Sequence, residues 1–241
     1  MAKTVLAISS LALIFSLIAL MFYLQPIQPT IDYTKVLHLK LNEGNGDIVH
    51  DSSEFENDGT IYDASWVNGK YGKALSFDGT DDCMDIAYSA NLDILNNLTV
   101  TAWIKADDPW GGGDLPIVWH SGIQSAFGFD KATGKARADL YIGGAWRGPW
   151  LSANAVSSGV WHYMVYTYDG GRVKIYVDSI NVVDQAQTGN LASSVSIRRI
   201  GKDTAGPAHY HMFKGIIDEV RIYNRVLSQS EIKDIYSSEY S

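Results

Sequence analysis

The chain has a single cysteine, Cys83, in 241 residues. One thiol excludes an intramolecular disulfide framework and cannot build a cysteine-rich zinc site, so Cys83 reads as a small buried hydrophobe. Basic residues are scarce as well. Lys and Arg number 19 against 27 Asp and Glu, a formal net charge of -8, and no basic run occurs; this argues against a polyanion-binding surface and so against nucleic acid as a partner. Familiar catalytic signatures are missing: there is no Gly-x-Ser-x-Gly elbow, no His-Glu-x-x-His, no phosphate-binding glycine loop between strand and helix, and no cysteine–histidine pair in a recognisable setting. Internal repeats and low-complexity tracts are absent too. Stability must come from a packed core, which a chain of this length can bury.

One long apolar run is present, Val5 to Leu24, uncharged and preceded only by Lys3. As a helix, about 20 residues match the hydrocarbon core of a bilayer. Its tail, Ala19 to Pro26, offers no small-x-small cleavage site. Phe22 and Tyr23 stand where interfacial aromatics belong, and Gln25-Pro26 stops the helix. Residues 1–25 therefore read as a retained membrane anchor, with Lys3 and the amino terminus inside and the rest outside. A cleaved signal and a pilin-like assembly helix are the alternatives. Residues 26–35, with Pro26 and Pro29, read as a short stiff linker.

Beyond residue 35 the period is two. In LTVTAWIK, Leu98, Val100, Ala102 and Ile104 alternate with Thr99, Thr101, Trp103 and Lys105, and in VLHLKL residues Leu37, Leu39 and Leu41 share a face. RVKIYVD repeats the pattern, and Asp169-Gly170-Gly171 before it supplies a tight hairpin turn. Many short alternating strands predict an all-β antiparallel sandwich. One helix is expected, after the last strand: Ser228 and Glu231 form a capping box, Ile232, Ile235 and Tyr236 an apolar stripe, and the helix should pack on the sandwich edge.

Three separated segments, WVNGKYGKALSFDGTDD (Trp66–Asp82), WHYMVYTYDGGRVKIYVD (Trp161–Asp178) and FKGIIDEVRIYNRVLSQSEI (Phe213–Ile232), each read as strand, tight turn, strand. With the opening VLHLKLNEGNGDIVHDSS and NDGTIYDASW, they resemble in order the laminin-G-like (LamG) domains of the concanavalin A-like lectin/glucanase superfamily. The resemblance covers roughly residues 36 to 238, and residues 36–241 are taken as one jelly-roll domain. It implies carbohydrate binding or adhesion. Glycosidases of that superfamily carry two glutamates and an aspartate alternating along one strand, because period two points all three into one cleft. No such run occurs here: Asp82 and Asp85 are three apart, and the adjacent Asp218 and Glu219 should face opposite sides of a strand. The resemblance also implies a structural calcium where the first loops approach the last strand, at Asp51, Asn57 and Asp218. Turn hydrogen bonds are the other reading of these residues.

Trp66, Trp103 and Trp161 lie in the family-pattern segments and are expected in the core. Trp110, Trp146 and Trp150 stand beside glycines in segments read as loops, where flat rings could stack on sugar faces; covering loop-side satellite cores is the alternative. His209 and His211 are spaced to share a strand face and reach a metal, though no third ligand is evident. Asn97-Leu98-Thr99 matches a glycosylation sequon. The leading expectation is a non-catalytic, membrane-anchored, outward-facing module that binds carbohydrate or a surface glycoprotein through Trp110, Trp146 and Trp150. A structural subunit of an envelope, filament or virion, self-associating as a homo-oligomer, is the second reading. A glycoside hydrolase is the third.

Overall fold

The computed structural model describes residues 32–107, 115–120, 125–130, 132–202 and 212–238. The apolar run Val5–Leu24, Trp110, His209 and His211 lie outside these. Among the described residues no helix is long and apolar enough to cross a membrane.

The alternating segments form strands β1 (Lys35–Leu39), β2 (Ile48–Val49), β3 (Gly59–Tyr62), β4 (Ser65–Asn68), β5 (Lys73–Asp78), β6 (Cys83–Ile86), β7 (Leu98–Ala106) and β8 (Leu115–His120). They continue as β9 (Ser125–Asp130), β10 (Lys135–Ile142), β11 (Ala145–Ala155), β12 (His162–Tyr168), β13 (Arg172–Val177), β14 (Ile180–Ala186), β15 (Arg198–Ile200) and β16 (Lys214–Tyr223), followed by helix α1 (Gln229–Ser238). The first sheet runs β14-β13-β12-β7-β16-β5-β4, with β1 also paired to β16. The second runs β11-β10-β9-β8-β15-β6-β3-β2. Their pairings are antiparallel, and the fold is the jelly-roll sandwich that period two predicts.

Between the sheets lies a core that includes Leu37, Leu39, Phe77, Met84, Phe129 and Ile217, all essentially sealed from solvent. Cys83 is buried and free. Asp169 to Arg172 turns β12 into β13, with Gly170 at φ 81°, a conformation glycine adopts without strain. Between β13 and β14, Val177 pairs with Ile180, and the two loop residues Asp178 and Ser179 both have positive φ, 51° and 65°, as a type I′ hairpin requires. Asp178 pins this turn to β12. One carboxylate oxygen accepts Tyr163 N–H (2.9 Å), and the other meets His162 Nδ1 (2.7 Å).

Three expectations are corrected. The segment Phe213–Ile232 is one ten-residue strand followed by a helix, not strand, turn, strand. Within β16, Asp218 pairs with Trp103 and Arg221 with Thr101, so two residues oppose one: a bulge, with Glu219 at φ 52°. The extra residue resets the alternation, so Val220 enters the core while Asp218 and Glu219 both reach polar partners outside it, instead of pointing to opposite faces. Glu219 joins Arg221 (2.6 Å) and His38 of β1 (2.8 Å) in a buried cluster, and burial lowers the His38 pKa. The third correction concerns α1, which packs on the face of the first sheet and not on the sandwich edge.

That placement follows from the capping box and the stripe. Ser228 N–H donates to Glu231 Oε2 (2.8 Å), and Glu231 N–H donates to Ser228 Oγ (3.3 Å). Arg225 also clasps Glu231 (2.7 Å) and, with these bonds, holds its carboxyl at about 2. The helix then lays Ile232, Ile235 and Tyr236 over Trp103, Tyr163 and Tyr176. Trp103 stacks on Tyr236 with centroids 5.6 Å apart and receives Tyr71 edge-on at 5.9 Å. Strand β7 is thereby buried on both faces, although its sequence alternates between apolar and threonine-rich sides. Trp103→Ala should cost about 3–5 kcal/mol, as for other buried aromatics truncated to alanine. Urea denaturation followed by far-UV circular dichroism reads it, and an unchanged midpoint would mean the layer under α1 contributes nothing.

Candidate recognition face

The second sheet has one face in the core and one turned away from it. Ala136, Ala138 and Leu140 of β10, Phe127 and Phe129 of β9, Met84 of β6 and Ile200 of β15 point inward. Period two then turns Arg137, Asp139 and Tyr141, Ala126 and Gly128, Asp85 and Arg199 outward. On β10, Arg137 grips Asp139 through Nε (2.5 Å) and Nη2 (3.2 Å). Across the β6–β15 ladder, Arg199 grips Asp85 through Nε (2.5 Å) and Nη2 (2.6 Å), and this bond raises the Arg199 pKa. The four side chains are only 13–20% exposed, so these charge-assisted forks are screened less than surface ion pairs.

Strands β9 and β8 lie between the forks. Ala126 stands opposite Asp139 and Gly128 opposite Arg137, and Trp119 of β8 holds the register position between Ala126 and Arg199. Three strand spacings separate Arg199 from Asp139, about 14 Å. At the β10–β11 hairpin the Tyr141 ring meets Trp146 edge-on at 5.5 Å, and Trp146 is 42% exposed. The result is a trough bounded by a hydrogen-bonding fork on either side, with Ala126 and Gly128 on the β9 part of its floor and an exposed aromatic corner at one end.

The structure revises the tryptophan set. Trp146 and Trp150 belong to strand β11, not to loops: Gly143 and Gly144 form only the tight turn, and Ile142 already pairs with Ala145. Four residues apart on a regular strand, the two rings would share a face. Ala138 pairs with Trp150 and Leu140 with Arg147, so Gly148 and Pro149 together oppose Asp139. This bulge reverses the alternation. Gly148 has φ 105°, and a Cβ there would lie 2.9 Å from the Ala138 carbonyl. Trp146 consequently faces the trough, while Trp150 packs against the core. The fork on β10 was legible as Arg137-x-Asp139-x-Tyr141 in KARADLYI, a period-two polar stripe. No local spacing could pair Asp85 with Arg199, because their meeting depends on sheet order.

The implied calcium ligands differ in their bonding. Asp51 accepts four donors: His38 N–H (2.8 Å), Ser53 N–H (2.8 Å), Ser53 Oγ–H (2.7 Å) and Asn57 N–H (2.9 Å). Asn57 in turn donates from Nδ2 to Val36 O (2.8 Å) and Asn91 Oδ1 (3.2 Å). Those two residues close a loop, and their arrangement does not fit a cation. Asp218 does. It is fully buried, its Oδ2 accepts Tyr71 N–H (2.9 Å), and its Oδ1 has no hydrogen-bond partner among the described residues. A Cβ on Gly69 would fall 2.6 Å from both Asp218 Oδ2 and Lys73 O, so only glycine lets this turn bring backbone oxygen and carboxylate so close. A buried carboxylate with one oxygen unpartnered among the described residues is donor chemistry for a hard cation.

Two other clusters lack such support. Ser157 Oγ meets His162 Nε2 (2.7 Å), and His162 Nδ1 meets Asp178 (2.7 Å), the bonding order of a nucleophile–base–acid relay. Ser157 is exposed, and the nearby Gly159 N–H is directed to Ala106 O (2.8 Å), not toward an oxyanion position. The chain works as a tether for the β13–β14 turn. Asp78, Asp81 and Asp82 also gather, but Asp78 N–H and Thr80 N–H occupy carboxylate oxygens of Asp82 and Asp78.

The laminin G family model of the concanavalin A-like lectin/glucanases superfamily matches residues 78–233. No curated protein matches the chain. Among solved structures, domain 4 of AbnA, a GH43 extracellular arabinanase from Geobacillus stearothermophilus solved with arabinotriose, is similar at TM-score 0.68 and 18% identity, covering 84% of this chain and 98% of that one. The binding domain of Paraclostridial Mosquitocidal Protein 1 gives 0.71 and 13%, covering 86% of this chain and 53% of that one. Trypanosoma rangeli sialidase, solved with sialic acid, gives 0.67 and 18%, covering 89% and 35%. The chain thus spans nearly all of the first but about half and a third of the other two. At these identities the likeness is one of fold.

Burial pushes the Asp218 carboxyl from 3.8 up to about 7. The native state therefore holds a proton that the unfolded chain releases, so this carboxyl's contribution to stability is highest below about pH 4, declines as pH rises, and is flat above about 7. The difference between wild-type and Asp218→Asn thermal melts in a chelator should trace this decline. A wild-type slope retained in that variant would assign the effect to another group.

Proposed function

Because the chain belongs to the laminin G-like family of the concanavalin A-like lectin/glucanases superfamily, we propose that it is a non-catalytic binding module. Its ligand is a glycan, free or carried on a surface molecule, and it binds in the trough on the outer face of the second sheet. The observation that carries this reading is the exposed Trp146–Tyr141 corner beside the Arg137–Asp139 fork. A sugar ring offers an apolar C–H face to an aromatic ring and hydroxyls at its rim. The indole can take the former, and fork atoms the latter. Of the domains of related fold, one was solved with arabinotriose and another is the binding domain of a mosquitocidal protein, which supports the class without naming the ligand.

A binding role is favoured over hydrolysis by the state of the acids. Two-carboxylate glycoside cleavage needs one carboxyl to deliver a proton and another to attack or activate water. In the trough, Asp85 and Asp139 each have both oxygens held by a guanidinium. Display outside a membrane rests on the uncharged run Val5–Leu24. Calcium, in this proposal, replaces the proton at Asp218 and fixes the Gly69–Lys73 turn from the far side of the sandwich, serving structure and not the ligand.

Two experiments test these statements. A glycan array probed with the full chain should give discrete positives, and Trp146→Ala should abolish them with little loss of stability, since exposed substitutions usually stay within about 0.5 kcal/mol. A sharp fall in melting temperature in that variant would make the ring structural and remove the site. For the metal, calcium added to chelated protein should raise the melting temperature at pH above 7, by an amount that grows with concentration, and Asp218→Asn should be insensitive. Equal melts with calcium and with chelator would exclude the ion.

A further inference from the structure

We infer that the trough selects an uncharged oligosaccharide and discriminates against glycans bearing carboxylates, such as sialylated or uronic acid chains; this rests on the glycan reading above. A sugar carboxylate is held most strongly by a guanidinium or ammonium whose charge is not already answered. Here both guanidiniums that flank the trough have their own counter-charge: Arg137 is forked to Asp139 and Arg199 to Asp85. Lys135, at the other end of β10, stands opposite Asp130 in the β9–β10 ladder.

Opening a fork to admit a ligand carboxylate would strand Asp139 or Asp85, both more than four-fifths buried, without a partner. Leaving one member of a partly buried pair uncompensated is strongly unfavourable. Arg147 is an exposed guanidinium near Trp146, but it pairs with Leu140, whose side chain is in the core. On that register it leaves the edge strand on the side away from the trough. The formal charge of -8 adds long-range repulsion of polyanions.

A neutral sugar makes no such demand. Each fork presents guanidinium N–H donors next to carboxylate lone pairs, so two adjacent hydroxyls can donate to one and accept from the other with the ion pair intact. The trough then reads hydroxyl geometry between Asp85–Arg199 and Arg137–Asp139, with Trp146 stacking at one end.

The test measures the full chain by array and by titration calorimetry against matched pairs, a neutral oligosaccharide and its sialylated or uronic counterpart, at low and high salt. Neutral members should bind about tenfold more tightly or better, with affinity indifferent to salt because no net charge is neutralised. Asp139→Asn leaves Arg137 uncompensated, so it should narrow or invert that preference and introduce salt dependence for acidic members, while Arg147→Gln should change neither. Preference of the wild-type chain for acidic members, or affinity that falls steeply with salt, would overturn this inference and leave the binding role standing. Binding to no glycan of either kind would overturn the binding role itself.

Discussion

Strand β16 is bonded along one flank to β7 and along the other to β5, through Lys214–Ile217, and to β1, through Val220–Tyr223. The first sheet therefore becomes continuous only when a segment near the end of the sequence inserts between strands from its beginning and middle. Such long-range closure makes a sandwich slow to fold relative to helical domains, and it concentrates structural demands on one strand. Its bulge answers two of them. By adding a residue between Asp218 and Arg221, the strand keeps Ile217, Val220 and Ile222 in the core while turning Asp218, Glu219 and Arg221 to the other side.

That other side would be solvent in a simple sandwich. Here α1 and the Tyr71 turn cover it with a second apolar layer around Trp103, and beside that layer the buried polar residues must satisfy one another. His38 sits between Glu219 Oε2 (2.8 Å) and Arg221 Nε (3.0 Å). Burial lowers its pKa, and the Nε2 of a neutral ring serves one partner at a time, donating to Glu219 in one tautomer or accepting from Arg221 in the other, while Glu219 also holds the guanidinium. A protonated ring would instead face a second cation in a sealed space. The cluster ties β1 to β16 at the point where the domain begins, so strand pairing and charge satisfaction are one event.

Period two made most of the fold legible in the sequence, because alternation is a local property: LTVTAWIK, RVKIYVD and VLHLKL all became strands or strand ends. The capping box of Ser228 and Glu231 was equally local. Errors arose wherever a bulge shifted the alternation. Asp218 and Glu219 looked opposed and are not; Trp146 and Trp150 looked equivalent and lie on different faces. Both errors come from a single extra residue whose position depends on the partner strand's register and leaves no clear mark in the sequence beyond Gly148-Pro149 in one case and none in the other. The helix was found but misplaced, since a short apolar stripe tells that a surface is covered and not which one. Asp51, Asn57 and Asp218 were grouped by resemblance, and only the full set of donors separates a closed loop from an unsatisfied carboxylate.

The forks on the second sheet show how position changes the meaning of a charge pair. Fully exposed, Arg137–Asp139 and Arg199–Asp85 would contribute little; fully buried, they would cost more in desolvation than apolar residues of the same size. At 13–20% exposure they are held rigid by bidentate geometry yet keep edges that can be reached. A recognition surface benefits from that intermediate state, because side chains already immobilised lose little further entropy when a ligand docks. Trp146 shares the property for a different reason. Tyr141, itself anchored by its hydroxyl to Gly144 O (2.9 Å), braces one edge of the indole and leaves the ring exposed. The same sheet that seals the core with alternate residues thus holds the intervening ones in fixed orientations, and preorganisation of the β10 fork and the aromatic corner follows from the pairing of β9, β10 and β11.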